Sequence, residues 1–329
     1  MTVLPSQEAL RHLEQAASLA PSVHNTQPWR LVETPGGLDF LADGTRRLKV
    51  LDPDGRQMYV SCGAAVFHAR AAARAMGLDA TVRLLPDPRQ ENLVASLTVS
   101  PGPPGTEDEI SLATAILHRH TFRGAFDTRQ VPAALVARLV AEGAREGAAL
   151  HQVSRPDDLL QLEVLLSRAD IALQRDEAYQ AELAHWVHRD AAHADGLAGA
   201  DLASSPGSSL RQRDFTLSHS SAVDGTAPVA EHPTVLVLAT QADDRRSWLQ
   251  AGEALAAVLL RAADSGVQGQ PLGQVTDVLA YRYALKGALN LLDVPQLVLR
   301  MGFTAALPAG STRVSVRRDV AELLRPVAG

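Results

Sequence analysis

The chain has 329 residues, enough for about two average domains or one large one. With 46% hydrophobic and 21% charged residues it sits near the globular average, which argues against wholesale disorder, a fibrous repeat and a membrane bundle. A net charge of −6 and 4% aromatics give neither the basic field nor the stacking residues that a nucleic-acid binder needs.

Apolar residues at Leu10, Leu13, Ala17 and Ala20 predict a first helix from Ser6 to Leu19, with Ser6 as N-cap and Pro21 as the stop. Short apolar runs around Pro35-Gly36-Gly37 predict two strands and a turn between Leu31 and Val50. An alanine-rich helix follows from Ser61 to Met76, closed by Gly77, then strands at Ala80 to Leu85 and Leu93 to Val99. The run Pro101-Gly102-Pro103-Pro104-Gly105 reads as a linker, dividing the chain into 1–105 and 106–329. Beyond it helices are expected at Glu109 to His118, Pro132 to Gly143 and, as one long element, Asp157 to Arg189. Periodicity is lost from Gly196 to Pro228, the signature of a lid or a disordered loop. A strand at Thr234 to Thr240, a helix from Trp248 to Asp264 closed by Gly266, a helical segment around Asp277 to Leu292 and a strand at Gln296 to Phe303 complete the reading.

Shifting the chain by the 189 positions between Gly63 and Gly252 lays Cys62-Gly63-Ala64-Ala65 on Ala251-Gly252-Glu253-Ala254, and Gly77 on Gly266. Two buried alanine-rich helices resemble each other by composition; duplication of one unit gives the same echo. The single cysteine, Cys62, excludes an internal disulfide and a thiolate-rich metal site, and in an apolar helix it reads as a core residue. The first residues carry charges at Glu8, Arg11 and Glu14, so no secretory leader is expected, no membrane span is expected, and the cytoplasm is the default compartment. His185, His188 and His193 are too few ligands for a zinc site, and no metal is expected. No Gly-x-Gly-x-x-Gly run supports a Rossmann domain.

The densest chemistry lies in Ala20-Pro21-Ser22-Val23-His24-Asn25-Thr26-Gln27-Pro28-Trp29-Arg30, where a hydroxyl, an imidazole and two carboxamides stand between two prolines. Such a loop suits a flat heterocycle; it is also what a well-capped turn contains. A second element, His118-Arg119-His120-Thr121-Phe122-Arg123-Gly124-Ala125-Phe126, sets two cations four apart around a hydroxyl, as a phosphate and a polyhydroxyl chain require. A third, Arg313-Val314-Ser315-Val316-Arg317-Arg318, reads either as a charged edge strand or as a further anion contact.

The string Ala20-Pro21-Ser22-x-x-Asn25-Thr26-Gln27-Pro28-Trp29 resembles the flavin-contacting signature of the nitroreductase superfamily of FMN-dependent oxidoreductases. The Arg119 to Arg123 element is similar to the one that opens a nitroreductase subunit, and the C-terminal basic run to the strand that closes on the FMN phosphate. Together with Trp248-Leu249-Gln250-Ala251-Gly252-Glu253-Ala254-Leu255 and Pro295-Gln296-x-x-x-Arg300-x-Gly302-Phe303, the pattern resembles the superfamily's Acg-type branch.

The resemblance implies an α+β, three-layer nitroreductase-like fold made of two fused halves, an intramolecular pseudo-dimer. Because Gly143-Ala144-Arg145-Glu146-Gly147-Ala148 stands where a second flavin loop would fall, one FMN site is kept and the other lost. By the same resemblance Pro21, Ser22, His24, Asn25 and Gln27 face the ring, with Asn25 and Ser22 bonding its edge. Arg119, His120, Thr121, Arg317 and Arg318 serve the phosphate and chain, and Arg123 the reduced ring. Gln270, Pro271, Leu272 and Gly273 form a loop near the reactive ring nitrogen, N5. The implied activity is NAD(P)H-dependent reduction of nitroaromatic, quinone or similar acceptors by a monomeric pseudo-dimer or a homodimer. The alternative is a protein that sequesters flavin beneath a lid at 196–228.

Overall fold

The computed structural model describes residues 4–188, 193–198, 210–215, 231–304 and 316–324. Helix α1 (Gln7–Ser18) starts on Ser6, whose Oγ accepts from the Ala9 N–H, and buries Leu10, Leu13 and Ala17. Strands β1 (Trp29–Thr34) and β2 (Gly37–Ala42) form a hairpin. Helix α2 (Arg56–Ala75) leads to β3 (Leu78–Leu84) and β4 (Leu93–Pro101), and these strands make an antiparallel sheet of order β1-β2-β4-β3. Helix α3 (Glu107–Ala115) follows the proline-rich turn, with a capping box between Thr106 and Glu109.

The same order of elements then returns with insertions. Helix α4 (Ala133–Arg145) leads to β5 (Ala149–Val153), then α5 (Pro156–Arg175) and α6 (Glu177–Trp186), and the two-residue strands β6 (Val187–His188) and β7 (Leu197–Ala198). Strand β8 (Thr234–Thr240), helix α7 (Arg245–Asp264), strand β9 (Gln268–Leu272), helices α8 (Gln274–Asp277) and α9 (Leu279–Ala288), strand β10 (Val294–Gly302) and helix α10 (Val320–Leu323) complete it. The second antiparallel sheet has the order β5-β8-β10-β9, the order of the first with corresponding strands exchanged.

Between the sheets lie α2 and α7, whose spans are 189 residues apart at both ends. A Cβ built on Gly63 would stand 2.0 Å from the Leu249 carbonyl oxygen, and one on Gly252 would stand 2.0 Å from that of Val60. Leu249 is Val60 moved by the same 189 positions, so the contact is reciprocal, as across a two-fold axis. Alanine-rich faces let the backbones touch; Cys62, Ala64, Ala65, Ala256 and Ala257 are all buried there. One core joins α1, α2 and the first sheet, and another joins α4, α7 and the second. Helices α5, α8 and α9 cover the far face of the second sheet, which is why all seven residues of β8 are buried. No described helix is long and apolar enough to cross a membrane.

Several sequence expectations are corrected. Helix α2 begins at Arg56, five residues before Ser61, because the buried Asp52 carboxylate accepts from the Gln57 and Met58 N–H groups. The expected long helix breaks at Asp176, whose side chain caps α6 through the Tyr179 N–H. The helical segment expected around 277–292 holds α9, with the short α8 ending at Asp277 just before it, and Gln270-Pro271-Leu272 is part of β9 rather than a loop. Strand β5 has no counterpart in the sequence reading. Of the proposed lid, 196–198 and 210–215 are described and the rest lies outside the described residues, as do Arg313 to Ser315; Val316 to Arg318 are not in a sheet.

Candidate functional site

The loop between α1 and β1 carries three non-glycine residues with left-handed backbone: His24 (φ 44°), Asn25 (φ 54°) and Gln27 (φ 47°). Such conformations persist where surroundings enforce them, and they concentrate at binding sites. Here the Ser22 Oγ accepts from the Gln27 N–H at 2.9 Å, and the Ser61 Oγ of α2 accepts from the Val23 N–H at 3.1 Å. The Arg119 to Arg123 segment runs beside β9, with Thr121 bridging to Gly269 and the Phe122 N–H donating to the Gly269 carbonyl.

These elements border a cleft of about 110 Å³. Pro21, Ser22, His24, Thr121, Arg123, Gln270, Pro271, Leu272 and Gly273 line it, nine of the residues selected from the sequence. A polar annex of about 40 Å³ shares Pro21, Ser22, Thr121 and Arg123 with it and adds Asn25, Arg119 and Arg317. Gln27, His120 and Arg318 line neither space. Gln27 is fully buried behind the loop, its Oε1 accepting from the Arg318 N–H and its Nε2 donating to the Ala194 carbonyl. The Arg318 guanidinium reaches back to the Gln27 carbonyl and Glu322, and the His120 ring packs against Phe122. Asn25 acts as a clamp: its Nδ2 donates to the Gly196 and Val316 carbonyls, and its Oδ1 accepts from Arg317.

The annex is electropositive. Arg119 and Arg317 both reach the Leu19 carbonyl, at 3.4 and 3.3 Å. Burial, with the Arg317 charge beside it, pushes the Arg119 guanidinium down to about 9. Among the described residues it has no carboxylate partner, and its buried Nε has no hydrogen bond. A guanidinium stays charged at neutral pH even so, and the arrangement therefore calls for an anion.

The other end of the cleft contains residues that the sequence reading did not select. Arg213 donates to Asp277 at 2.5 Å and meets the His24 Nε2 at 3.1 Å; Asp277 also accepts from Arg56 at 2.8 Å and Gln57 at 2.5 Å. Burial, together with the Arg213 and Arg123 charges, holds His24 well below its ordinary range, so its ring is neutral. With Nε2 accepting from Arg213, the proton is on Nδ1, which is buried without an acceptor. Phe215 packs edge-on to His24 at 5.5 Å and beneath Arg123. Arg213 and Phe215 lie in an aperiodic stretch, where no local pattern singles them out.

Over 324 residues the chain is 32% identical to a Mycobacterium tuberculosis H37Rv protein named "Putative NAD(P)H nitroreductase Rv3131", covering 98% of this chain and 93% of the relative. The chain belongs to the nitroreductase superfamily, in its Acg-type branch. The M. tuberculosis H37Rv nitroreductase-type protein Acg is itself 30% identical over 303 residues, with 90% of this chain and 89% of Acg covered. Among solved structures, a Bacteroides fragilis nitroreductase with bound FMN matches 61% of this nitroreductase-family chain and 96% of its own, at 16% identity and a TM-score of 0.37. No protein-family model matches the chain.

Proposed function

We propose that this chain binds one FMN and uses NAD(P)H to reduce nitroaromatic, quinone or similar small acceptors. The observation that carries the reading is the continuity of the loop cleft with the Arg119 and Arg317 annex, which joins a flat, mixed-polarity slot to an arginine-lined end. Membership of a family whose relatives bear the NAD(P)H nitroreductase name supports it. We also read the chain as a fused pseudo-dimer whose halves meet near 101–105; the repeated strand order and the reciprocal glycine contact support that reading.

The residues fit the cofactor. Arg119 and Arg317 would hold the phosphate and Thr121 the adjoining chain, while Pro21, Ser22, His24 and Pro271 would flank the ring. Bound FMN would supply the hydride chemistry. Arg123, on the wall of the cleft, would offer a cation to the negative charge that reduction leaves on such a ring. Neutral His24 offers an N–H donor from Nδ1, and Arg213, held by Asp277, fixes that tautomer. Leu255, Val60 and Leu297 give the cleft apolar lining.

The test is an absorption spectrum of the protein mixed with FMN and then titrated anaerobically with NADPH. A bound-flavin spectrum that bleaches supports the reductase; absence of bound flavin overturns the cofactor assignment. The second reading, flavin sequestration, is favoured by Arg213 and Phe215, which come from the 210–215 segment and wall the cleft. A bound spectrum that persists under NADPH is its expected result.

A further inference from the structure

The two-fold relation between α2 and α7 maps the cleft onto a second cavity. Gln57 and Ser61 of the cleft move by 189 positions onto Arg246 and Gln250; Pro271, Leu272 and Gly273 move back onto Val82, Arg83 and Leu84. Arg246, Gln250, Val82, Arg83 and Leu84 all line one open pocket of about 650 Å³. It is the counterpart of the first cleft, and it has been rebuilt. Where the first repeat has the ten residues Leu19 to Pro28 between helix and strand, the second has only Glu146, Gly147 and Ala148. Gly147 turns with φ +80° and packs against Gln250, and this short turn brings none of the carboxamides or hydroxyls of the flavin-type loop.

Charge replaces them. Arg70, Arg83, Arg145 and Arg246 line the pocket against only two acids, Glu146 and Glu253. Both acids are engaged by Arg70, at 2.5 and 3.2 Å, and Arg145 reaches Glu142. Among the described residues Arg83 has no carboxylate partner, and Arg246 donates only to the Leu84 carbonyl. Two cations are therefore left uncompensated on the wall of a cavity large enough for a metabolite.

We propose that this pocket is a second ligand site, selective for a small polyanion bearing phosphate or carboxylate groups, held by Arg83 and Arg246 and bounded by Arg70 and Arg145. Guanidinium groups match both kinds of oxyanion bidentately. The floor tunes the site. Glu253 of α7 faces Arg70 from α2, Glu146 from the α4 to β5 turn and the pocket's other arginines; burial, partly offset by Arg70 and reinforced by Glu146, pushes it up to about 7. Near neutrality the pocket sheds a negative charge. Helices α2 and α7 line both cavities, so the two sites share their walls.

The proposal does not depend on flavin binding, and its test separates the two. The full-length protein, saturated with FMN, is titrated calorimetrically at about 0.15 M salt with pyrophosphate and, separately, with citrate; which of them binds identifies the phosphate or the carboxylate class. Saturable one-to-one binding of either is expected. The double variant Arg83→Ala/Arg246→Ala, at two exposed positions, should weaken it at least tenfold while leaving the flavin spectrum unchanged. Glu253→Gln should tighten it about fivefold at pH 8, the ~1 kcal/mol that one charge at ~4 Å is worth in water. Arg119→Ala should leave it unaltered. No saturable binding of either probe overturns the proposal, as does binding that survives the double variant or disappears with Arg119→Ala.

Discussion

Replacing Gly63 with alanine tests the interface on which the architecture rests. The added methyl would stand 2.0 Å from the Leu249 carbonyl oxygen, 2.9 Å from its carbon and 3.1 Å from the Glu253 nitrogen. All three are backbone atoms, so no rotamer change relieves the overlap. Bringing carbon and oxygen to an ordinary contact of roughly 3.3 Å requires α2 and α7 to part by about 1.3 Å, loosening packing along both 20-residue helices. Overpacking of this kind costs about 1–3 kcal/mol and occasionally more, while alanine returns ~1 kcal/mol of helix propensity. Taking the upper end of that range, because only backbone can yield, leaves a net loss of about 2 kcal/mol, or roughly 3 °C in Tm for a chain of this size. Gly252→Ala should behave alike, since its methyl meets the Val60 carbonyl at the same distance. Separating the helices once relieves both clashes, so the double variant should lose clearly less than the sum of the singles. Urea unfolding of the four proteins measures this. Strict additivity, or a single variant as stable as the parent, would refute the reciprocal contact.

Arg119→Ala should weaken FMN binding about 10- to 100-fold, the value of one charge-assisted phosphate contact, as read by fluorescence quenching of free FMN. Asp277→Ala removes the carboxylate shared by Arg56, Arg213 and Gln57, leaving two buried guanidinium groups without their anion; a destabilisation of about 3–5 kcal/mol is expected by denaturant titration. Phe215→Ala should quicken quenching of bound flavin by iodide, and an unchanged rate would remove Phe215 as a barrier to the cleft. For Glu253 the folded value of about 7 lies above the ordinary 4.5, so the charged form is penalised in the fold. Its contribution to stability is therefore lost as pH rises from 4.5 to 7, by up to ~3 kcal/mol, and Glu253→Gln should flatten the profile in that window.

Much of the candidate cleft's lining was legible because its chemistry is local. The run from Pro21 to Gln27 is polar, bounded by prolines and adjacent to a helix stop, and nine of the fifteen selected residues line the cleft itself. The failures have physical causes. Gln27 looked like a ligand group, yet a fully buried carboxamide must satisfy its own donors and acceptors, and it does so with Arg318 and Ala194. Arg213 and Asp277 are 64 positions apart in sequence, and only folding makes them a pair. Asp52, which starts α2 early, sits outside the apolar periodicity that marks the helix.

The repeat explains why similar architecture yields dissimilar cavities. Topology is set by which faces are apolar, and α2 and α7 keep that pattern: small residues at the crossing, closure at Gly77 and Gly266 with φ +74° in both. Cavity chemistry is set by fewer positions: the connections at the sheet edge and the helix and strand residues that face them. The helix-to-strand connection is ten residues in one unit and three in the other; the longer carries the polar loop and still sends Ala20 into the first core, while the shorter sends Ala148 into the second. Exchanging Gln57 for Arg246 and Leu272 for Arg83 at corresponding places then changes what the space attracts. Restoring the ten-residue loop alone would not recreate the first site in the second repeat, because Arg83, Arg246 and Glu253 would still face it.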